Sequence, residues 1–466
     1  MATPQERKFA FSYAERGKEF MAAKKYPEAL EALREAVRRD PTMVEAWILL
    51  ASVHYALEED IECVGASEEA LKHQANSGAA WNYRGLALMR LQRDEEALDA
   101  FARTMRIEGW FIAGAQNAFE ILTNVKRFDE ALRVADTLIA EQKNNGHFWA
   151  MRSAALWCSN QNEQAYRAAT EGVRLSPQDG YTWVQLAMSL KKLRRYTEAL
   201  KASEREVELR GVSSDSYVLK AIILQGQRRF EDMLAASQLA QALQPESARN
   251  LGQVGLALLN LGRPGEAYKH FLRAATLKPQ EPAFSINAGV ALAHLHKHEQ
   301  ALIWTDRTLA LRADYSLAVI NRAGALFELG RYEEAEAQLR AVTEVTMSHS
   351  GYWAATGSLH TQRGDYDEAL VSIKRAIDLS DDDTNTAVAY QRMGELLIAL
   401  EDYPKALEFA EHGLELRSHD FWLQELTAKA LRGLGRESEA DEIERAVQAR
   451  LAEQLALLDQ AEGASE

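Results

Sequence analysis

A period of 34 residues runs through this chain and restricts its fold more than any other feature. Steps of 34 from residue 10, with one insertion of three residues at 384–386, divide the 466 residues into thirteen units. Small residues occupy the eighth position of twelve units, and alanine occupies the twentieth position of eleven. A period this regular predicts that each unit is one supersecondary element that stacks on its neighbours.

The residues within each period predict two closely packed helices. In ten units leucine follows the eighth position by three residues, which places both residues on one helix face. A glycine or alanine at such a contact lets the backbones of two antiparallel helices approach. The fourth position is often aromatic, as in Trp47, Trp81, Trp149, Trp183 and Trp353. The thirty-second position carries a proline that ends the second helix in four units, at Pro41, Pro177, Pro245 and Pro279.

These residues resemble the tetratricopeptide repeat family, whose pattern of Trp, Leu-Gly, Tyr, Ala, Phe, Ala and Pro is matched along essentially the whole chain. The resemblance implies an all-α solenoid of about 13 helix-turn-helix repeats that form a right-handed superhelix. Some residues depart from the pattern and indicate altered local packing. They are Phe119, Glu206, Met233, Ser285 and Gln424.

The period also predicts the organisation of the chain. We expect a polar leader (1–9), eleven contiguous repeats (10–383), the insertion (384–386), two further repeats (387–454), and a helix end with a polar tail (455–466). The insertion is expected to lengthen a turn as a solvated loop, although a hinge or an acidic contact loop is the alternative. The last repeat is expected to expose a polar outer face, because nothing stacks on a terminal repeat.

No catalytic or cofactor-binding motif occurs in the sequence. Phosphate-binding glycine loops, the Gly-x-Ser-x-Gly elbow and His-Glu-x-x-His are all missing, so we expect no enzyme and no cofactor. Cys63 replaces a packing alanine, and Cys158 lies 95 residues away. His294, His296 and His298 alternate beside a predicted turn, where we expect a solvated turn and no metal site. Transition-metal binding is the alternative if this stretch is extended.

The charge balance restricts the class of partner. The chain has 54 basic and 69 acidic residues, for a net charge of −15. This balance disfavours nucleic acids and anionic membranes, which need concentrated lysine and arginine. No apolar run approaches the ~18 residues that a membrane span requires, and the first residues lack the apolar core of a signal peptide. With only two cysteines, these features predict a cytoplasmic protein.

The inner surface of the array is the expected binding surface. In this family the first helix of each repeat lines that surface, mainly through positions two, five, nine, twelve and thirteen. These positions are mostly polar in the first four and last three repeats, but largely apolar in repeats five to ten. An exposed apolar stripe of this kind marks an interaction site. Alternatively, these residues pack on the neighbouring repeat. The predicted partner-binding residues are Trp157, Val184, Met188, Val218, Ile222, Leu256, Ile286, Val290 and Ile320.

The sequence therefore predicts a protein–protein interaction scaffold or adaptor that binds a peptide or a helical segment in its concave groove. The alternative is a regulatory or targeting subunit of a separately encoded enzyme complex. The family's chaperone-binding members hold a peptide carboxylate with lysine and asparagine at positions five and nine. No repeat has that pair here, and the first repeat has Ala14 and Lys18. The sequence leaves the oligomeric state open.

Overall fold

The computed structural model describes residues 2–380 and 382–462. Across these residues it contains 27 helices and no strand. The chain divides into two compact units, Met1–Gly211 and Val212–Glu466. Consecutive helices pack on each other in both units, as expected for a chain of antiparallel helical hairpins.

The first unit contains twelve helices, two for each of six repeats. They are α1 (Pro4–Ala22), α2 (Tyr26–Arg39), α3 (Val44–Ala56), α4 (Asp60–His73), α5 (Gly78–Arg90), α6 (Asp94–Met105), α7 (Phe111–Asn124), α8 (Phe128–Glu141), α9 (Gly146–Cys158), α10 (Asn162–Leu175), α11 (Gly180–Lys192) and α12 (Tyr196–Arg210).

The second unit contains fifteen helices in its described residues. They are α13 (Ser214–Gly226), α14 (Phe230–Leu243), α15 (Ala248–Asn260), α16 (Pro264–Leu277), α17 (Pro282–His294), α18 (His298–Leu311), α19 (Ser316–Glu328), α20 (Tyr332–Arg340), α21 (Glu344–Met347), α22 (Ser350–Arg363), α23 (Tyr366–Leu379), α24 (Asp383–Ala399), α25 (Tyr403–Leu416), α26 (Phe421–Gly433) and α27 (Glu437–Glu462).

The helices follow the 34-residue register closely. In ten of the thirteen repeats the first helix begins at the residue where the period predicts it. The first repeat differs, because α1 begins at Pro4 and includes most of the predicted polar leader. Thr3 and Glu6 explain this early start. The Thr3 backbone N–H donates to Glu6 Oε2 at 2.6 Å and the Glu6 N–H donates to Thr3 Oγ1 at 3.3 Å, a capping box.

Every hairpin turns at the fifteenth position of its repeat, where the backbone is left-handed. Glycine occupies this position four times, and nine repeats place another residue there with φ between 56° and 62°. The N–H of the sixteenth residue bonds the carbonyl of the eleventh, as Arg93 does to Leu88 at 2.9 Å and Arg195 to Leu190 at 2.9 Å. This is the bond of a Schellman motif, so one turn geometry links the two helices of all thirteen repeats.

Complementary residue sizes close the contact between the two helices of a repeat. The small eighth residue faces the twenty-fourth: a Cβ on Gly85 would lie 2.5 Å from the Phe101 ring, and one on Gly255 would lie 2.6 Å from the Phe271 ring. Phe119, which departs from the family pattern, reverses this arrangement, because the twenty-fourth residue of its repeat is Ala135. Phe119 and Ala135 share one buried cluster, so the departure leaves the core filled.

The aromatic residue at the fourth position makes a hydrogen bond that links its repeat to the preceding one. The indole N–H of Trp47 donates to Pro41 O at 2.8 Å, and Trp81, Trp149, Trp183 and Trp353 likewise bond the carbonyl six residues before them. Gln424 replaces the aromatic in the last repeat. Its Nε2 donates to Ser418 O at 3.1 Å and so makes the equivalent bond.

Two repeats of the second unit depart from regular hairpins. Residues 384–386 were expected to lengthen a turn, but they lie inside α24, which is capped by Asp382 and extends to 17 residues. Because they are helical, they do not form a solvated loop, and the preceding Asp383 pairs with Arg228 at 3.3 Å. In the tenth repeat the second helix ends at Arg340, and the chain resumes as the short α21. Threonine and valine dominate this stretch, and β-branched residues weaken a helix.

Candidate functional site

The first helices of repeats nine to twelve enclose a cavity of about 370 Å³ in the second unit. This volume falls in the range of roughly 300–1,000 Å³ that is typical of ligand pockets. One wall is apolar: Ile286 and Ile320 are 3% and 8% exposed, and Val290 lies between them on the same surface. Further lining residues are Gly289, Ala293, Phe327, Ala354, Val388 and Trp422.

Gly324 shows that this space is a property of the fold. It lies in α19 on the cavity wall, and a Cβ built on it would meet no atom within 4 Å. At the hairpin contacts, by contrast, a neighbouring side chain fills the space beside the glycine, as Phe101 does at Gly85. Packing therefore does not require a glycine at 324, and its lack of a side chain keeps the cavity open.

Polar side chains also line the cavity. Asn287, Asn321 and Gln391 provide amide groups that both donate and accept hydrogen bonds. Such groups match the N–H and C=O of a peptide backbone. The lining can therefore offer apolar contacts and hydrogen bonds to a bound segment.

A partly buried charge cluster borders both this cavity and a second one of about 350 Å³. Arg392 lines both cavities and contacts two carboxylates: its Nη1 lies 2.8 Å from Glu395 Oε2, and its Nη2 lies 3.4 Å from Glu328 Oε1. Burial raises the pKa of Glu328, Arg392 lowers it and the nearby Glu395 raises it further. Glu328 is therefore the less well compensated of the two acids.

The last repeat closes the second unit over the histidine turn of the ninth repeat. The Trp422 ring lies 4.4 Å from the His296 ring and 5.8 Å from the His298 ring, measured between centroids. Burial lowers the pKa of both His294 and His298 to about 4. Our prediction of a solvated turn was wrong, because these histidines pack against a repeat that lies more than a hundred residues later in the sequence.

The C-terminal helix makes a second closing contact. The backbone N–H of Gly265 in α16 donates to Gln454 Oε1 of α27 at 3.1 Å, and a Cβ on Gly265 would lie 2.1 Å from the Gln454 carbonyl oxygen. Leu458 on the same helix is 1% exposed. The expectation of an uncovered terminal repeat was therefore wrong for this part of α27, which packs on the eighth repeat.

The structure brings together only part of the predicted binding stripe. Trp157, Val184 and Met188 lie on α9 and α11 of the first unit, and Val218, Ile222 and Leu256 lie on α13 and α15 of the second. Only Ile286, Val290 and Ile320 line the cavity. Val218 is fully buried, and the other stripe residues outside the cavity are half-buried. Ile286 and Ile320 are also buried, so the alternative that these residues pack within the array describes them as well as Val218.

Sequence reasoning missed three residues that shape the site. Glu328 occupies position thirteen of the tenth repeat, which the family places on the inner surface. This position could therefore have identified Glu328 from the sequence. Arg392 occupies position six, which is not among the positions that the family places on the inner surface. Trp422 occupies position two, which is among them, but its contact with the ninth repeat depends on the closure of the second unit.

Metal binding and membrane insertion find no support in the described residues. No group of three or more His, Cys, Asp or Glu side chains between residues 2 and 462, Asp381 aside, is arranged to hold a metal ion. None of the described helices combines the length and the hydropathy that crossing a bilayer demands. Burial raises the pKa of Cys63 to about 12, which keeps this thiol protonated.

The fold and the cavity define a helical-repeat protein that acts as a protein–protein interaction scaffold. Two family models, both described as tetratricopeptide repeat, match the sequence: one at 15–60, 65–108 and 254–316, the other at 352–419. The matched segments are tetratricopeptide repeats, as the residues predicted. The comparison with curated proteins gives no match.

Two solved structures are similar to this chain at low sequence identity. A chain of the APC/C hetero-tetramer Cut9–Hcn1 is 15% identical, with a TM-score of 0.53, and the match covers 96% of this chain and 95% of that one. A tetratricopeptide repeat protein from Parabacteroides merdae is 13% identical, with a TM-score of 0.48 over 54% of this chain and 99% of that one. The first similarity supports the all-α repeat fold.

Proposed function

We propose that this protein is a scaffold or adaptor that holds a peptide or helical segment of a partner protein in the cavity of its second unit. The observation that carries the proposal is the cavity between the first helices of repeats nine to twelve. Its apolar wall gains free energy by covering apolar side chains, at roughly 25 cal/mol per Å². Its amide groups pair with a main chain that would otherwise lose hydrogen bonds to water.

Substitution of Gly324 tests this proposal. Gly324→Leu places a side chain in the cavity without displacing any atom near its Cβ, and it also removes a glycine from a helix interior. Gly65→Leu is the matched control, because Gly65 lies exposed in α4 and a Cβ there also meets nothing within 4 Å. Both variants are expected to remain folded by circular dichroism.

The readout is quantitative mass spectrometry of proteins retained from lysate by the wild type and by each variant. We expect specific proteins that bind the wild type and Gly65→Leu to be lost with Gly324→Leu. Equal retention by all three would place binding outside the cavity, and the inner surface of the first unit, with Trp157, Val184 and Met188, is then the next candidate. One stoichiometric enzyme among the lost proteins would favour the regulatory-subunit alternative. A cytoplasmic location stays a prediction.

A further inference from the structure

The charges around the two cavities are not balanced. Four carboxylates line them, from Glu328, Glu395, Asp420 and Glu425, against three basic side chains. The basic residues are Arg392, Arg417 and Lys429. Arg417 lies 3.2 Å from Asp420, so this pair is internally neutral. The linings of the two cavities therefore carry an excess of one negative charge.

Of the two carboxylates that contact Arg392, Glu328 is the more weakly paired. Its closest approach to a cation is 3.4 Å, to Arg392, whereas Glu395 lies at 2.8 Å from the same guanidinium and also accepts from Gln391 Nε2 at 2.8 Å. The Glu328 side chain is 21% exposed, and it borders both cavities. A partly buried carboxylate with long hydrogen bonds gains strongly from an added cation.

The charge of the whole unit acts in the same direction. Residues 212–466 contain 38 acidic and 25 basic residues, whereas residues 1–211 contain 31 acidic and 29 basic residues. Nearly all of the net negative charge thus lies in the unit that contains the cavities. Its field attracts cationic segments and repels acidic ones.

We infer that the partner segment is cationic and amphipathic, with a large apolar side chain against Ile286 and Ile320 and a lysine or arginine beside Glu328. This inference rests on the proposed function and specifies the chemistry of its ligand. The apolar wall alone would accept any hydrophobic segment. Glu328 adds a selection for positive charge at one position, because a neutral or acidic residue there leaves the carboxylate with only its long contacts to Arg392.

A phage-displayed library of random 12-residue peptides, panned on the immobilised full chain, tests the inference. We expect enrichment of peptides that carry lysine or arginine within about three residues of a large apolar residue, and no such enrichment on Gly324→Leu. Glu328→Gln is expected to weaken an enriched synthetic peptide by about tenfold or more, the scale of a hydrogen bond to a charged group. Glu333→Gln, an exposed neighbour in the same repeat, is the matched control and is expected to change nothing.

A second peptide, with the basic residue replaced by norleucine, completes the test. It is expected to bind the wild type weakly and to be insensitive to Glu328→Gln. Peptides that depend on Gly324 but show no basic preference, or that ignore Glu328→Gln, would overturn this inference and leave the proposed function standing. If no peptide is enriched, or if the enriched peptides bind Gly324→Leu equally well, both this inference and the proposed function are overturned. Displacement of the bound peptide by micromolar spermidine alone would indicate a small organic cation as the occupant.

Discussion

The residues at positions eight and twenty-four of a repeat are complementary in size, because together they fill the space between its two helices. Gly85 faces Phe101, whereas Phe119 shares its cluster with Ala135 in the reverse arrangement. When each position is compared separately with the family pattern, Phe119 is a departure from it. The pair of positions eight and twenty-four, compared across repeats, would have explained it from the sequence.

This pairing predicts a compensated double variant. Phe119→Gly is expected to destabilise the first unit by at least about 3 kcal/mol, because a buried ring is lost. Ala135→Phe alone is expected to cost on the order of 1–3 kcal/mol by overpacking. Together they recreate the Gly85–Phe101 pair, so the double variant should be more stable than the sum of the two by on the order of 1–3 kcal/mol. Urea unfolding of the four proteins measures this, and strict additivity would exclude the pairing.

The charged residues of the site could be predicted only in part. The period identifies which positions face inward, and this places Glu328 and the apolar residues Ile286, Val290 and Ile320 on the inner surface. It does not determine how far a side chain reaches or which carboxylate a guanidinium contacts. The ion pair between Arg392 and Glu328 depends on the distance between the tenth and twelfth repeats, which the sequence does not specify.

The buried histidines predict a loss of stability in acid. His294 and His298 have pKa values of about 4, below the ordinary 6.5, so the folded unit binds fewer protons than the unfolded chain. Their contribution is complete above pH 6.5 and is lost as the pH falls towards 4. His296 and Arg417 disfavour the charged form of His294 and Asp420 favours it, whereas His296 and Arg392 disfavour that of His298.

The measurement is the urea midpoint between pH 7 and pH 4 for the wild type and for His298→Gln. We expect the wild-type midpoint to fall more steeply, because the variant has one fewer group that must remain neutral. Carboxylates titrate in this range in both proteins, so the difference between the two curves isolates the histidine. Parallel curves would show that His298 does not contribute to the acid sensitivity.

At the scale of the helices, the turn inside each repeat is more constant than the sequence that forms it. Glycine is the residue best suited to a left-handed backbone, yet nine repeats place another residue at this position. The long-range Trp422 contact with His296 occurs at one of these turns. The helices themselves were largely predictable from the period, apart from the α20 break and the extension of α24.

Opposite substitutions at two turns should have opposite effects. Glu58 has φ of 62° and is exposed, so Glu58→Gly should stabilise the first unit by a few tenths to about 1 kcal/mol, as the strain of a left-handed residue is relieved. Gly364 has φ of 83° with open space around it, and Gly364→Ala should destabilise the second unit by about 1 kcal/mol. Thermal unfolding of each variant against the wild type gives the sign, and equal signs would refute this account.

At the scale of the whole molecule, the second unit differs from a simple array because its end packs on its earlier repeats. The period treats every repeat as equivalent and so predicts a free terminal repeat. Closure arises from the accumulated rotation of one repeat on the next, a quantity that small differences in packing determine. Gly265 is the residue of α16 at this contact. In the sequence alone it resembles a glycine of the turn where a helix begins, so it does not predict the contact.

Gly265→Ala tests the closing contact. Its Cβ would lie 2.1 Å from the Gln454 carbonyl oxygen, so α27 must move away from α16. We expect faster hydrogen exchange in residues 450–460, with the helical content of the rest of the chain unchanged. Gly65→Ala, where a Cβ meets no neighbour, should leave exchange there as in the wild type. Unchanged exchange in Gly265→Ala would show that the two helices are not held together at this point.

The contact between Gly265 and Gln454 joins residues 189 positions apart in the sequence. A linear array of hairpins contains almost only local contacts, and such chains fold fast because little loop entropy is lost before contacts form. Closing the second unit adds a contact of high sequence separation that can form only after the intervening repeats are in place. Two units built from the same 34-residue repeat therefore differ in kinetics: the first can nucleate at any hairpin and propagate, whereas the second completes its folding in a late, slow step that depends on its last helix.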